Sequence, residues 1–147
     1  MVAFKGTYSF SIDHKGRVNI PAKFRGIPDQ PDNENYVVAR GFEGCLYIYP
    51  RDSWLKVEEK LFALKIISDP KARYFVRTLL SNAADVKLDK QGRIAIPQNL
   101  LELVGIKKEA TIRGVLDKLE IWDPEELAKY EESQPDSYED VAGQLLI

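Results

Sequence analysis

The chain has 147 residues, a size that suits one globular domain with an adequate core. Its composition, 44% hydrophobic and 30% charged, is that of an ordinary soluble protein, and no apolar run approaches the ~18 residues of a membrane span. The N-terminus lacks the charged-then-apolar pattern of a signal peptide, and the lone Cys45 excludes an intrachain disulfide, so we expect a cytoplasmic protein without a membrane partner.

The net charge of −2 is unevenly distributed along the chain. Residues 1–25 carry five cations and one acid, a balance of +4, whereas residues 120–147 carry nine acids and Lys129, a balance of −8. Two solvated faces of opposite sign would account for this pattern. Because a field decays within ~8 Å at physiological salt, a basic surface can still attract a polyanion despite the acidic total.

The first predicted elements are two short strands around a tight turn. Residues 8–13 alternate apolar and polar side chains with the period of a half-buried strand, and residues 17–20 do the same. The segment between them, His14-Lys15-Gly16, predicts a three-residue hairpin loop with Gly16 in the left-handed conformation. Asp13 and Arg17 then form a cross-strand charge pair worth ~0.2–1 kcal/mol. A proline follows, which favours a short helix.

A second strand pair, 36–40 with 45–49, precedes two predicted helices. The first keeps three-and-four spacing of apolar residues over 54–64. The second begins at the cap Ser68-Asp69 before Pro70, and its apolar side is Ala72, Phe75, Val76 and Leu79. Outside that stripe lie Lys71, Arg73 and Arg77, a basic face that is more typical of solvated or paired charges than of a binding surface.

The pattern of residues 8–27 returns at 84–106, so the chain contains an internal repeat. Five residues recur 76 positions later and four more recur 73 positions later, so the first unit has a loop three residues longer. The first set is Asp13, Gly16, Arg17, Ile20 and Pro21, matched by Asp89, Gly92, Arg93, Ile96 and Pro97; the second is Arg40, Gly41, Leu46 and Ile48, matched by Arg113, Gly114, Leu119 and Ile121.

A repeated unit that cannot close its own core usually closes it against its copy. We therefore predict a β-rich α+β fold with one pseudo-symmetric domain over residues 1–130. It comprises repeat 1 (about 5–50), a two-helix segment (about 51–80) and repeat 2 (about 82–124), with another helix at 125–131. The acidic tail, 131–147, is expected to be a short helix or disordered.

The polar face of the first turn is the candidate binding site. Its residues combine uncompensated positive charge with a small amide donor, the mixture that contacts phosphates and reaches base edges: Asp13, Lys15, Arg17, Asn19, Lys23 and Arg25. The second turn repeats only the charge pair, Asp89 with Arg93. That pair either fixes a tight turn or supplies a second DNA contact.

An enzymatic function finds little support in the sequence. His14 is the only histidine and has no soft metal ligand near it, and Cys45 stands on a predicted strand as a small core residue. The phosphate-binding and nucleophile-elbow motifs are missing from the sequence. We expect no catalysis, no metal, no cofactor and no small-molecule substrate.

The quoted patterns, G-T-Y-S-F-S-I-D-H-K-G-R-V-N-I-P and its copy V-K-L-D-K-Q-G-R-I-A-I-P, strongly resemble the MraZ family, which is marked by a duplicated D-x-x-x-R. The resemblance covers about residues 1–130. It implies a pseudo-two-fold double-split β-barrel of the AbrB-like swapped-hairpin type, with helices inserted between and after the repeats.

The resemblance also implies a function. Family members look like ring oligomers of eight or more subunits that bind double-stranded DNA. They regulate, typically as repressors, the bacterial division and cell-wall gene cluster through direct repeats in their own promoter, so a nucleoid association is expected. Carried over by position, the DNA-contacting turn is 13–17, with Arg17 central and Lys15, Lys23 and Arg25 assisting. His14 and Asn19 fall at positions expected to vary.

One alternative comes from a different functional class. AbrB-like barrels also occur in protein-interaction modules that neutralise a toxin through a flexible tail. The acidic segment 131–147, which ends in Leu145-Leu146-Ile147, has the composition of such a peptide. The doubled turn and the two-helix insertion favour the ring-forming regulator instead.

Overall fold

The computed structural model of the protein describes residues 3–25 and 34–147. Residues 26–33 of the predicted repeat 1 lie outside this range. The strands are short and the helices follow them in each half of the chain. The elements are β1 Thr7–Ser11, β2 Arg17–Asn19, a 3-10 helix Ala22–Phe24, β3 Asn35–Arg40, β4 Leu46–Pro50, α1 Arg51–Phe62, α2 Pro70–Ser81, β5 Ala84–Lys87, β6 Arg93–Ala95, α3 Gln98–Leu103, β7 Glu109–Val115, β8 Lys118–Trp122, α4 Pro124–Glu132 and α5 Tyr138–Gln144.

The strands form one six-stranded antiparallel sheet, in the order β1-β7-β8-β4-β3-β5, and one two-stranded sheet, β2-β6. The alternation predicted for the strands around both Asp–Arg turns is correct. The two strands on either side of each turn do not pair with each other as in a local hairpin. Instead, β1 pairs with β7, β5 pairs with β3, and β2 pairs with β6. Each repeat therefore lends its first two strands to the other repeat. The α+β class is confirmed.

Both repeats contribute to one hydrophobic core. Val18 and Ile20 from the first repeat are almost fully buried in the same cluster as Ile94 and Ile96 from the second. Burying one such aliphatic side chain stabilises the fold by roughly 1.5–3 kcal/mol. The inward side of the two-stranded sheet is therefore packed firmly against the larger sheet. The alternating outward residues of β2 and β6 are left at the surface.

The strand register corrects one detail of the predicted repeat. Arg40 pairs with Leu46, whereas Gly114 pairs with Leu119. Because the two leucines are equivalent, Arg40 corresponds to Gly114 and not to Arg113. One of the three additional residues of the first unit therefore lies in the turn between β3 and β4. A shift of one residue along a strand moves a side chain to the opposite face, so the two arginines are not equivalent.

The helices after β4 begin as predicted but bury less than expected. The Asp69 side chain accepts a hydrogen bond from the Lys71 N–H at 2.9 Å, which confirms the cap of α2. Trp54 of α1 is buried with its ring 5.4 Å from that of Tyr49. In α2, by contrast, no side chain is buried, and Phe75 of the predicted apolar side is 39% exposed.

The acidic tail contains a helix. In α5 the Ser137 hydroxyl accepts a hydrogen bond from the Asp140 N–H at 3.1 Å, an N-cap that defines where the helix begins. Every residue of α5 is exposed except Ala142, which is half-buried. Within residues 3–25 and 34–147, no helix has the length and apolar character needed to cross a membrane.

Candidate nucleic-acid interface

The two Asp–Arg turns have the same internal geometry. In the first, Asp13 Oδ1 accepts hydrogen bonds from the Lys15 and Arg17 N–H groups, both at 2.9 Å, and Oδ2 accepts one from Arg17 Nε at 2.6 Å. In the second, Asp89 Oδ1 accepts from the N–H groups of Gln91 and Arg93, and Oδ2 accepts from Arg93 Nε at 3.1 Å. The predicted charge pairs are confirmed, and each carboxylate also fixes the backbone of its turn.

The turns contact each other across the two repeats. The Ile20 N–H donates to the Gly92 carbonyl at 2.9 Å, and the Ile96 N–H donates to the Gly16 carbonyl at 2.9 Å. Gly16 has a φ of +75°, as predicted, and a Cβ added there would lie 2.6 Å from the Ile96 carbonyl oxygen. Glycine is therefore required at this position both by the backbone conformation and by the close approach of the other repeat.

One ion pair joins the two turns directly. Arg93 Nη1 lies 3.7 Å from Asp13 Oδ2, so the Asp13 carboxylate stands between Arg17 of its own turn and Arg93 of the other. The sequence predicted two separate Asp–Arg pairs, whereas the structure brings the two turns into contact. Hydrogen bonding, first from the Arg17 N–H and then from its side chain, lowers the pKa of Asp13 from 3.8 to about 2. The Arg93 N–H likewise lowers the pKa of Asp89.

The exposed face of the β2–β6 ribbon carries the charged side chains. Arg17 pairs with Ala95 and Asn19 with Arg93, whereas Val18 between them pairs with Ile94 and faces the core. Since side chains alternate along a strand, Arg17, Asn19 and Arg93 share the outward face. Asn19 therefore lies directly beside Arg93. We define the ribbon face by these three residues together with Ala95.

Of the other predicted basic residues, Lys15 and Arg25 lie near the turns. Lys15 is exposed at the tip of the first turn. Arg25 Nε donates to the Ile20 carbonyl at 2.9 Å, and its guanidinium lies where a Cβ on Gly92 would be. Lys23 lies elsewhere, with its Nζ 4.9 Å from the centre of the Tyr8 ring. It is therefore held beside β1 by a cation–π contact.

One arginine on the basic side of α2 binds the segment that connects α1 to α2. Arg73 Nη1 donates to the carbonyls of Ile66 and Ile67, at 3.0 and 2.8 Å. That guanidinium therefore satisfies backbone acceptors between α1 and α2. Two further polar residues, Lys90 and Gln91, are exposed at the tip of the second turn, where the duplicated D-x-x-x-R predicts a loop like the first. The pairing of β2 with β6 brings the second turn into contact with the first repeat, where the Ile20 N–H donates to the Gly92 carbonyl.

The lone cysteine has the surroundings of a core residue, as predicted. Cys45 is fully buried, and burial is the main cause that raises the pKa of its thiol to about 12. Such a thiol is a poor nucleophile. Among the residues that the structure describes, there is no cluster of three or more histidine, cysteine, aspartate or glutamate side chains suited to a metal ion.

These features define a two-repeat α+β protein that presents paired Asp–Arg turns on an exposed strand ribbon. The family model described as "MraZ protein, putative antitoxin-like" matches the chain twice in tandem, over residues 3–78 and 79–146. The chain therefore belongs to the MraZ family, a family of regulators and not of enzymes. Each match runs beyond the strands of its repeat into the helices that follow them.

Proposed function

We propose that the protein is a sequence-specific DNA-binding transcriptional regulator and that the ribbon face enters the major groove. The observation that carries this proposal is the pairing of the two turns through Arg93 and Asp13, 3.7 Å apart. That contact unites Arg17, Asn19 and Arg93 on one outward face. The major groove of B-DNA, ≈ 12 Å wide, admits a two-stranded β-ribbon, so the width of this face is suitable.

The side chains of the ribbon face have the chemistry that such a site requires. Guanidinium groups form bidentate contacts with guanine or phosphate, and an asparagine amide pairs with adenine. The carboxylates of Asp13 and Asp89 have lowered pKa values, so they stay ionised and hold both guanidinium groups in fixed directions. Lys15 and Arg25 would assist at the phosphates. Lys23, beside Tyr8, is the least suitably placed of the predicted contacts.

The proposed fold is a double-split barrel with an approximate two-fold axis, formed by residues 1–130 as one domain. The registers support this relation. Adding 76 to Arg17 and Asn19 gives Arg93 and Ala95, and the observed pairs, Arg17 with Ala95 and Asn19 with Arg93, exchange under that shift. A two-fold axis through the ribbon would present the two Asp–Arg turns to DNA equivalently.

The proposed assembly is a ring of eight or more chains. A ring is a head-to-tail assembly whose rotation closes, so successive subunits would present ribbon faces at a constant spacing. A single ribbon with few phosphate contacts binds weakly and loses affinity as salt rises. Several ribbons on consecutive direct repeats would add about 10²–10⁴ in avidity without new contacts. The division and cell-wall gene cluster, including the promoter of the protein's own gene, is the proposed target, with repression and nucleoid association as the outcome.

The test is a gel shift with the genomic region upstream of the reading frame. Arg17→Ala should abolish retention of that DNA while leaving the oligomer mass unchanged, since each engaged turn loses a contact worth about 1–3 kcal/mol. Arg77→Ala, an exposed arginine of α2, is the matched control and should bind normally. Full retention by a folded Arg17→Ala protein would contradict the proposal. Arg93→Ala separates the two interpretations of the second turn, because a purely structural pair would lower stability and leave the affinity of the folded protein intact.

The second candidate, a module that neutralises a toxin, is favoured by the antitoxin-like description of the family and by the exposed tail helix. Its distinguishing result is a different small protein recovered in stoichiometric amount with the purified chain. In that case the Arg17→Ala variant would retain the partner, since the ribbon face would have no part in the contact.

A further inference from the structure

A groove on the side of the large sheet leaves apolar side chains open to solvent. It lies between α1, α2 and the turn after β3, and has a volume of about 730 Å³. Leu64 is 40% exposed, Tyr74 72% and Phe75 39%, and all three line it. We call this region the helix groove. An apolar surface of this kind on helices marks an interaction site.

The helix groove has a positively charged rim. Arg40, Lys60 and Lys118 line it together with one acid, Glu43, so cations outnumber acids by three to one. A partner that fits therefore needs an apolar stripe flanked by negative charge. Helix-in-groove recognition uses apolar anchors spaced three and four residues apart on an amphipathic helix.

The tail of the chain has those properties. Tyr138, Val141 and Leu145 follow one another at spacings of three and four, so they lie on one side of α5, and they are 85%, 40% and 67% exposed. The tail, residues 131–147, carries five acids and no lysine or arginine. Both its apolar spacing and its charge complement the helix groove.

The tail of the same molecule does not occupy the helix groove. The groove is lined by residues between Arg40 and Lys118, and none comes from the tail. The preceding helix α4 is fixed to a different cluster, where Leu127 is buried beside Trp122 and Cys45. We propose that the helix groove receives α5 of a second copy of this chain. This inference rests on the proposed ring. Because the groove and the tail are different surfaces, the contact between them is a head-to-tail contact, and contacts of that type can close into a ring.

A disulfide experiment tests the contact directly. Protein carrying Thr78→Cys in the groove wall is mixed with protein carrying Val141→Cys in α5, and the mixture is oxidised. We expect a covalent pair of chains on a non-reducing gel. Lys56→Cys, on α1 outside the groove lining, replaces Thr78→Cys as the control and should give far less. The proposal is overturned if the two variants form no covalent pair, or if the control pairs to the same extent. It is also overturned if a chain that carries both Thr78→Cys and Val141→Cys gives only an internally linked monomer.

A mass measurement by light scattering separates this inference from the proposed function. Val141→Asp with Leu145→Asp should reduce the oligomer to lower mass, whereas Leu116→Asp, 68% exposed in the turn after β7, should not. Lys60→Glu should also weaken assembly, and Asp140→Lys in the same chain should restore it. An unchanged ring in the tail variant refutes the tail contact and leaves the DNA-binding proposal standing. A wild-type protein that is monomeric refutes ring and contact together.

Discussion

Replacing Gly16 by alanine should destabilise the protein far more than the same change at Gly105. Both glycines have a left-handed backbone conformation, with φ of +75° and +74°. The strain of placing a Cβ in that conformation, about 1–2 kcal/mol, is therefore common to both variants. At Gly105 nothing lies within 4 Å of the added Cβ, whereas at Gly16 it meets the Ile96 carbonyl oxygen at 2.6 Å.

The cost at Gly16 arises from the contact between the repeats. Moving the two strands apart would weaken the hydrogen bond from the Ile96 N–H to the Gly16 carbonyl, worth about 0.5–1.5 kcal/mol, and overpacking adds about 1–3 kcal/mol. We therefore expect Gly16→Ala to lose about 2–4 kcal/mol more than Gly105→Ala in the free energy of unfolding.

Urea unfolding followed by tryptophan fluorescence measures this difference. Gly92→Ala is the intermediate case, because the three atoms nearest to its added Cβ belong to the flexible Arg25 guanidinium. It should cost less stability than Gly16→Ala while moving a cation of the proposed DNA-binding surface. Equal unfolding midpoints for Gly16→Ala and Gly105→Ala would refute the close packing of the turns.

The remaining predictions concern ionisation and the helix cap. The pKa of Asp13 is lowered from 3.8 to about 2, so its contribution to stability is fully present above about pH 4 and is lost as the pH falls toward 2. Unfolding midpoints measured from pH 5 downward should therefore fall more steeply for the wild type than for Asp13→Asn, and parallel curves would contradict this; Asp136→Asn is the control. For α2, Asp69→Ala removes the N-cap and should cost about 1 kcal/mol by urea unfolding, whereas Asp69→Ser should restore most of it. No loss in the alanine variant would mean that α2 unfolds apart from the sheet.

Local features of this fold could be predicted from the sequence because local chemistry determines them. The Asp–Arg pairs, the left-handed Gly16 and the Asp69 cap each depend on side chains within four residues of one another. The predicted strands and helices follow from the spacing of apolar residues in the same way. The exchange of strands between the repeats was predicted from the family resemblance, because the spacing of apolar residues alone does not indicate it.

The arrangement of the site could not be predicted in full because it depends on contacts distant in sequence. The contact of Arg93 with Asp13 spans both repeats, and only the pairing of β2 with β6 creates it. Lys23 looks equivalent to Arg25 in the sequence, yet Lys23 lies over the Tyr8 ring whereas Arg25 donates to the Ile20 carbonyl. Exposure of the apolar side of α2 was also missed, because amphipathic spacing indicates a buried face without stating which molecule covers it.

The exchange of strands also constrains how the chain can fold during synthesis. The first strand of the protein pairs with residues about a hundred positions later, as in Thr7 with Arg113, and contacts of such separation make folding slow. On the ribosome, the N-terminal half must wait with an unpaired edge until most of the polypeptide has been translated. A product terminated before β6 would lack one of the two strands that form the ribbon, so translation errors of that kind would yield no competing, half-active regulator.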